Sequence, residues 1–184
     1  MNALVVLAEG FEDIEAVTVV DVLRRGGVDV VTASLSGTPI VKSAHGIEML
    51  ADLPFEKAAA DSYSALILPG GGRGADNMKR SDALIDRIRR QKDESGLICA
   101  ICAAPTVLVR AGVLDPGQHI TCYPTCAREL DRPPADAPVV SDGDVITGQA
   151  PGAALLFSLV VLKSLVGDYM TRRVAEGMVT DVMM

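Results

Sequence analysis

Short, continuous apolar runs alternate along most of this chain with segments whose apolar positions repeat at helical spacing. Ala3-Leu4-Val5-Val6-Leu7-Ala8 and Val28-Asp29-Val30-Val31-Thr32-Ala33 read as strands. Between them Ile14, Val17, Val20, Val22 and Leu23 fall at helical spacing, and Gly26-Gly27 stops the helix. Such a unit implies parallel strands joined by a right-handed crossover. Ala65-Leu66-Ile67-Leu68 and Leu97-Ile98-Cys99-Ala100-Ile101 have the unbroken apolarity of strands buried on both faces. Ser36-Gly37-Thr38-Pro39 marks a turn, with short extended pieces near Ile40-Val41 and Glu48-Met49-Leu50. Residues 82–94 predict an amphipathic helix whose charges form a solvated face. Residues 139–147 predict a hairpin turning at Asp142-Gly143, residues 153–166 predict a long, mostly buried helix, and His119 is expected to begin a strand. The sum is a single α/β domain over residues 1–184, with helices on both faces of a mainly parallel sheet. No repeat, low-complexity segment or linker interrupts it, and residues 132–138, rich in proline, form the one loop-like stretch of note.

Composition narrows the partners. With 184 residues and 49% hydrophobic side chains, the chain can bury a sizeable core. A net charge of −7 and a pI near 4.8 argue against nucleic acid or an anionic membrane surface as a partner. Base-stacking platforms are equally unexpected, because aromatics make up 3% of the chain and tryptophan is absent. No basic residue precedes Leu4 and the first apolar run ends at Glu9, so no secretory leader is expected. Residues 153–162, the longest apolar stretch, fall short of the roughly 20 needed to span a bilayer. Four cysteines in a chain of this size do not make a disulfide scaffold, so a reduced, cytoplasmic setting is expected. Met170, Met178, Met183 and Met184 read as packing or interface filler.

One cysteine stands out. Cys102 lies between the apolar run ending at Ile101 and the small residues Ala103-Ala104, with Pro105 suited to the first turn of a following helix that Gly112 closes. A thiol at such a strand-to-helix turn faces the positive end of a helix dipole, which is expected to lower its pKa. The alternative is a buried cysteine acting as a small hydrophobe.

Two other segments follow strands, where ligands bind in sheets of this class. Pro69-Gly70-Gly71-Gly72-Arg73-Gly74 formally fits a dinucleotide fingerprint, but no acidic residue ends a strand roughly 20 residues on, and no Gly-Lys-Ser/Thr makes it a P-loop. A nest of backbone N–H groups able to hold an oxyanion beside Cys102 is the better reading. In Glu9-Gly10-Phe11-Glu12-Asp13-Ile14-Glu15, the charges of Glu12 and Asp13 complement a helix N-terminus, whereas Glu15 shares a face with Val19 and Val22. A carboxyl pointing inward must be paired or protonated, and a protonated one beside Cys102 can act as acid and base.

Cys99 sits inside a strand pattern, so Cys99 and Cys102 do not form a thioredoxin-like couple, and a zinc site built from them with Cys122 and Cys126 is disfavoured too. His45 and His119 lack the setting of a triad base, so a Cys–His hydrolase is disfavoured. No metal or cofactor is expected.

Three motifs in order, Glu9-Gly10-Phe11-Glu12-Asp13-Ile14-Glu15, Leu68-Pro69-Gly70-Gly71-Gly72 and Ala100-Ile101-Cys102-Ala103-Ala104-Pro105, resemble the ThiJ/PfpI superfamily and, within it, the DJ-one and YajL-like branch. Val20-Asp21-Val22-Leu23-Arg24-Arg25 and Gly148-Gln149-Ala150-Pro151-Gly152 extend the resemblance over residues 3 to about 166. It implies a flavodoxin-like three-layer sandwich with Cys102 on a nucleophile elbow. Glu15 is then the protonated carboxyl bonded to its sulfur, and the N–H groups of Gly70, Gly71 and Ala103 line an anion pocket. It further implies a homodimer, with the first helix as a candidate interface. The implied activity is that of a cofactor-free glyoxalase or deglycase, acting on small dicarbonyls such as methylglyoxal or on glycated thiols and amines. The rival implied role is an oxidation-sensing stress-response protein or chaperone whose output is Cys102 sulfinate. Two departures are visible. Tyr123 stands where some members carry a histidine; it can bond a substrate oxygen but is no base near neutral pH. An arginine common in the Ser43-Ala44-His45-Gly46 turn is absent. Ala103 follows the cysteine where the peptidase branch requires histidine.

Overall fold

Alternate residues of the first strand face opposite layers, and that alternation organises the molecule. The computed structural model describes residues 1–181. Met183 and Met184, expected to be filler, lie outside the described residues. Seven strands form one sheet in the order β5-β2-β1-β6-β7-β9-β8, built from β1 (Asn2–Leu7), β2 (Asp29–Ser34), β5 (Leu53–Pro54), β6 (Ala65–Leu68), β7 (Leu97–Ile101), β8 (Val139–Asp142) and β9 (Val145–Gly148). All pairings are parallel except β8 with β9, the hairpin that Gly143 turns with φ +61°. Two short antiparallel strands, β3 (Ile40–Lys42) and β4 (Glu48–Leu50), form a separate hairpin.

Ala3, Val5 and Leu7 point into one core with α1 (Asp13–Arg25), α6 (Ala154–Val166) and α7 (Asp168–Gly177). Leu4 and Val6 point into the other, covered by α2 (Phe55–Ala58), α3 (Gly72–Arg80), α4 (Asp82–Asp93) and α5 (Pro105–Ala111). Central strands buried on both sides demand near-continuous Val, Leu and Ile, which is what β1, β6 and β7 carry. Each such side chain contributes about 1.5–3 kcal/mol on burial. This is the flavodoxin-like three-layer α/β sandwich. No helix among the described residues is long and apolar enough to cross a membrane.

Two expectations are corrected. His119 does not begin a strand, because the amides of this stretch bond side chains: His119 N–H donates to Asp142 Oδ2 and Thr121 N–H to Thr147 Oγ1. The charges of α4 are not all solvated either. Arg87 is 3% exposed, held by Gln91 Oε1 at 2.7 Å and by the face of Tyr63 at 5.8 Å from the ring centre.

Candidate active site

The carboxyl ends of β1, β6 and β7 bring three chain segments together. At the end of β7, Cys102 adopts φ +65°, a left-handed backbone that costs a non-glycine residue about 1–2 kcal/mol. The turn is pinned on both sides: Cys102 N–H donates to Gly148 O at 2.9 Å, and Tyr123 N–H donates to Cys102 O at 2.7 Å. Pro105 then opens α5, and Gly112 closes it at φ +69°. This is a nucleophile elbow, with the thiol 7% exposed.

Glu15 reaches this elbow from α1. Glu12 caps that helix by accepting the Glu15 N–H at 2.8 Å, which fixes the first turn. The Glu15 carboxyl, 1% exposed, points under the sheet end, where Oε2 accepts the Gly70 N–H at 2.7 Å. Its Oε1 has no nitrogen or oxygen partner among the described residues, and the Cys102 thiol hydrogen-bonds the carboxyl. Gly70 lies wedged between the two: a Cβ there would stand 2.7 Å from Cys102 Cβ, Glu15 Oε2 and Ile101 O. Gly71, at φ +87°, turns the chain into α3 with its own N–H toward Cys102, as does Ala103.

The anion nest therefore differs from expectation in one member. Gly71 and Ala103 face the sulfur, but the Gly70 N–H is engaged by Glu15. With these amides turned to the Cys–Glu pair, Gly70 and Gly71 are taken up by the cysteine site rather than offered to a pyrophosphate.

Electrostatics correct a second expectation. Burial pushes the Glu15 carboxyl up to about 7, against the pull of the Gly70 amide and the Cys102 thiol. Burial, then the Glu15 charge, push the Cys102 thiol up to about 12. The dipole of α5, only seven residues long, does not reverse this, although the Gly71 and Ala103 amides pull downward. The two groups titrate as a pair: one proton leaves near pH 7 and the other stays to much higher pH. A pair with one shared proton can present sulfur as nucleophile while the carboxyl carries the proton.

Tyr123 borders the elbow through its backbone and is 41% exposed. Cys99 is fully buried in β7 with its thiol pushed up by burial, and all four cysteines are free. Burial also pushes Cys122 up to about 11.

A feature that the sequence did not disclose lies beside Glu12. Asp13 Oδ1 accepts the Ser43 hydroxyl, and Asp13 Oδ2 bonds His45 Nδ1 at 2.6 Å, locking the β3–β4 hairpin onto the start of α1. Burial opposes ionisation of Asp13, but the Ser43 and His45 bonds hold its carboxyl below the usual range. Glu12, Asp13 and His45 offer ligand atoms within 4.8 Å of one another, a set that could hold a metal ion. Each already has a role in the protein: capping for Glu12, docking for Asp13 and His45. Only their separation of some thirty residues hid this contact, since no local pattern links positions 13 and 45.

Comparison with known proteins gives this site a context. Residues 1–164 match the DJ-1/PfpI family model. The protein dj-1beta of Drosophila melanogaster is 39% identical over 180 residues, covering 96% of both chains. The crystal structure of Drosophila melanogaster DJ-1beta superposes with a TM-score of 0.93 at 38% identity, covering 97% of each chain. A Caenorhabditis elegans protein described as the glutathione-independent glyoxalase DJR-1.2 is 33% identical over 174 residues, covering 92% of this chain and 91% of its own. With its fold, its cysteine elbow and these relatives in agreement, the chain belongs to the DJ-1/PfpI family.

Proposed function

We propose that this protein is a cofactor-independent glyoxalase, with deglycase activity as the same chemistry on early glycation adducts. The observation that carries this reading is the buried Glu15 carboxyl with a free Oε1, bonded to the Cys102 thiol and titrating near pH 7. A general acid and base works best with a pKa near the operating pH. One relative, 33% identical, is described as the glutathione-independent glyoxalase DJR-1.2, which supports this reading.

In the proposed reaction the Cys102 sulfur bonds the aldehyde carbon of methylglyoxal, and the thiol proton passes to Glu15. The aldehyde oxygen gains the electron pair, is held by the Gly71 and Ala103 amides, and takes the proton back from Glu15, leaving a hemithioacetal. Glu15 then removes the proton from the former aldehyde carbon, and the electrons move onto the ketone oxygen as an enediolate. Glu15 returns that proton to the neighbouring carbon, the hydroxyl proton on the sulfur-bearing carbon passes to the former ketone oxygen, and the sulfur-bearing carbon becomes a thioester carbonyl. Water cleaves the C–S bond, releasing lactate and restoring the thiol. The balance is methylglyoxal plus water giving lactate, with no external oxidant or thiol. Tyr123, partly exposed beside the elbow, would bond a substrate oxygen.

A homodimer is part of the proposal. Ile14 and Val17 lie one helical turn apart on α1 and are 56% and 53% exposed, which suits a contact with a second copy. A redox-sensing role is the rival, since the Gly71 and Ala103 amides that face the sulfur would also donate hydrogen bonds to sulfinate oxygens.

Methylglyoxal consumption with lactate detection, without added thiol, tests the enzyme reading. Wild type should turn over and Cys102→Ala should lose essentially all activity. Turnover in Cys102→Ala equal to wild type would overturn it, and inactivity of both proteins would favour the sensor.

A further inference from the structure

A second cleft, of about 400 Å³, opens at the carboxyl ends of β1 and β2, apart from the residues of the cysteine site. Helix α3 forms one wall. Arg73, Asn77 and Arg80 fall at i, i+4 and i+7 and so share one helix face, while Gly74, Ala75 and Met78 face the core. Glu9, Leu35 and Ser36 from the ends of the strands complete the lining. The Arg73 stem is anchored against the backbone of Gly10: a Cβ built on that glycine would meet Arg73 Cβ at 2.7 Å. Asn77 is positioned by donating its Nδ2 to Glu9 O at 2.8 Å, which leaves its Oδ1 to the cleft.

Lys79 in the same helix is neutralised by Asp76 and Glu129, and Arg24, Arg25, Arg89, Arg90 and Lys92 likewise face carboxylates. Arg73 and Arg80 have neither an ion pair nor a hydrogen bond among the described residues, although they line one concave surface. Two guanidiniums on flexible stems suit a phosphate dianion between them. The Glu9 carboxylate, which uses Oε2 for the Lys42 N–H at 3.1 Å, disfavours a purely anionic ligand but accepts hydroxyl hydrogens, as does Ser36. A volume of this size lies within the usual range for small-molecule sites.

We infer that this cleft is a binding site for a small phosphate monoester bearing hydroxyl groups, with Arg73 and Arg80 holding the phosphate and Glu9 and Ser36 the hydroxyls. The site is independent of the chemistry at Cys102, so either can hold without the other.

Titration of the full chain with glycerol 2-phosphate, inorganic phosphate and glycerol, followed by calorimetry and amide chemical shifts, tests the inference. The ester should bind saturably and several-fold more tightly than inorganic phosphate, glycerol should not bind, and shifts should cluster at Leu35, Ser36 and Asn77. Arg80→Ala and Arg73→Gln should each weaken the ester roughly tenfold or more, consistent with loss of a charged hydrogen bond. Cys102→Ser should bind as wild type. Equal affinity for ester and inorganic phosphate would overturn the ester assignment. Absence of saturable binding, or affinity unchanged in both arginine variants, would overturn the site.

Discussion

Glu15 is the residue on which the chemistry turns, and its burial has a cost that pH reveals. A carboxyl at 4.5 in the unfolded chain and about 7 in the folded one binds its proton more tightly when folded. Stability therefore falls as pH rises from about 4.5 to about 7, and the penalty is fully present above that window. Glu15→Gln removes the titration while keeping an oxygen for the Gly70 N–H. Relative to wild type it should gain up to about 3 kcal/mol between pH 4.5 and pH 8 in denaturant unfolding. A difference between the two proteins that does not vary with pH would contradict this. The inward face of Glu15 was legible from its spacing with Val19 and Val22, and Cys102 from the small residues around it. The role of Gly70 was not, because a run of three glycines looks uniform until each N–H is traced to its acceptor.

At the scale of elements, α4 shows how an apparently solvated helix can carry a buried anchor. Gln91 is fully buried, donating to Tyr63 O at 2.8 Å and Leu97 O at 3.2 Å while accepting from Arg87 at 2.7 Å. It ties α4 to the start of β7, the strand that ends in the elbow. Gln91→Leu would remove the donor to the Tyr63 and Leu97 carbonyls and the hydrogen-bond acceptor of the buried Arg87 guanidinium, leaving it the Tyr63 face and the longer Glu94 contact at 3.7 Å, and should destabilise the fold by about 2–4 kcal/mol in chemical denaturation. A loss below about 0.5 kcal/mol, the range of ordinary surface changes, would contradict the anchor. Amphipathic spacing places α4 correctly, but a charge on its inner face reads like one on its outer face. Helix α3 was invisible for another reason: glycines at 72 and 74 mimic a loop, and packing against Phe11 and Gly10 makes the helix. Helix α7 was missed as well, its apolar positions being few.

For the whole molecule, the alternation of apolar strands and amphipathic helices sufficed to predict the parallel sheet and its two faces of helices. The order of the strands brings Glu15, Gly70 and Cys102 to one point, and that order was not visible in any one segment. Only the chain's family resemblance joined them in advance. The proposed homodimer is a statement at this scale too. Sedimentation should give twice the chain mass for wild type, and Ile14→Glu with Val17→Glu should shift it toward monomer without unfolding, since both side chains are more than half exposed. A monomeric wild type would refute the dimer.

The pH dependence of methylglyoxal turnover by wild type and Glu15→Gln tests the central claim most directly. The competent form of the Cys102–Glu15 pair has lost one of its two protons. Wild-type kcat/KM should therefore rise through an apparent pKa of about 7 and then level off. Glu15→Gln should lack that limb and lose roughly 10²–10⁴-fold in kcat. A Glu15→Gln enzyme that keeps both the limb and wild-type turnover would contradict the account.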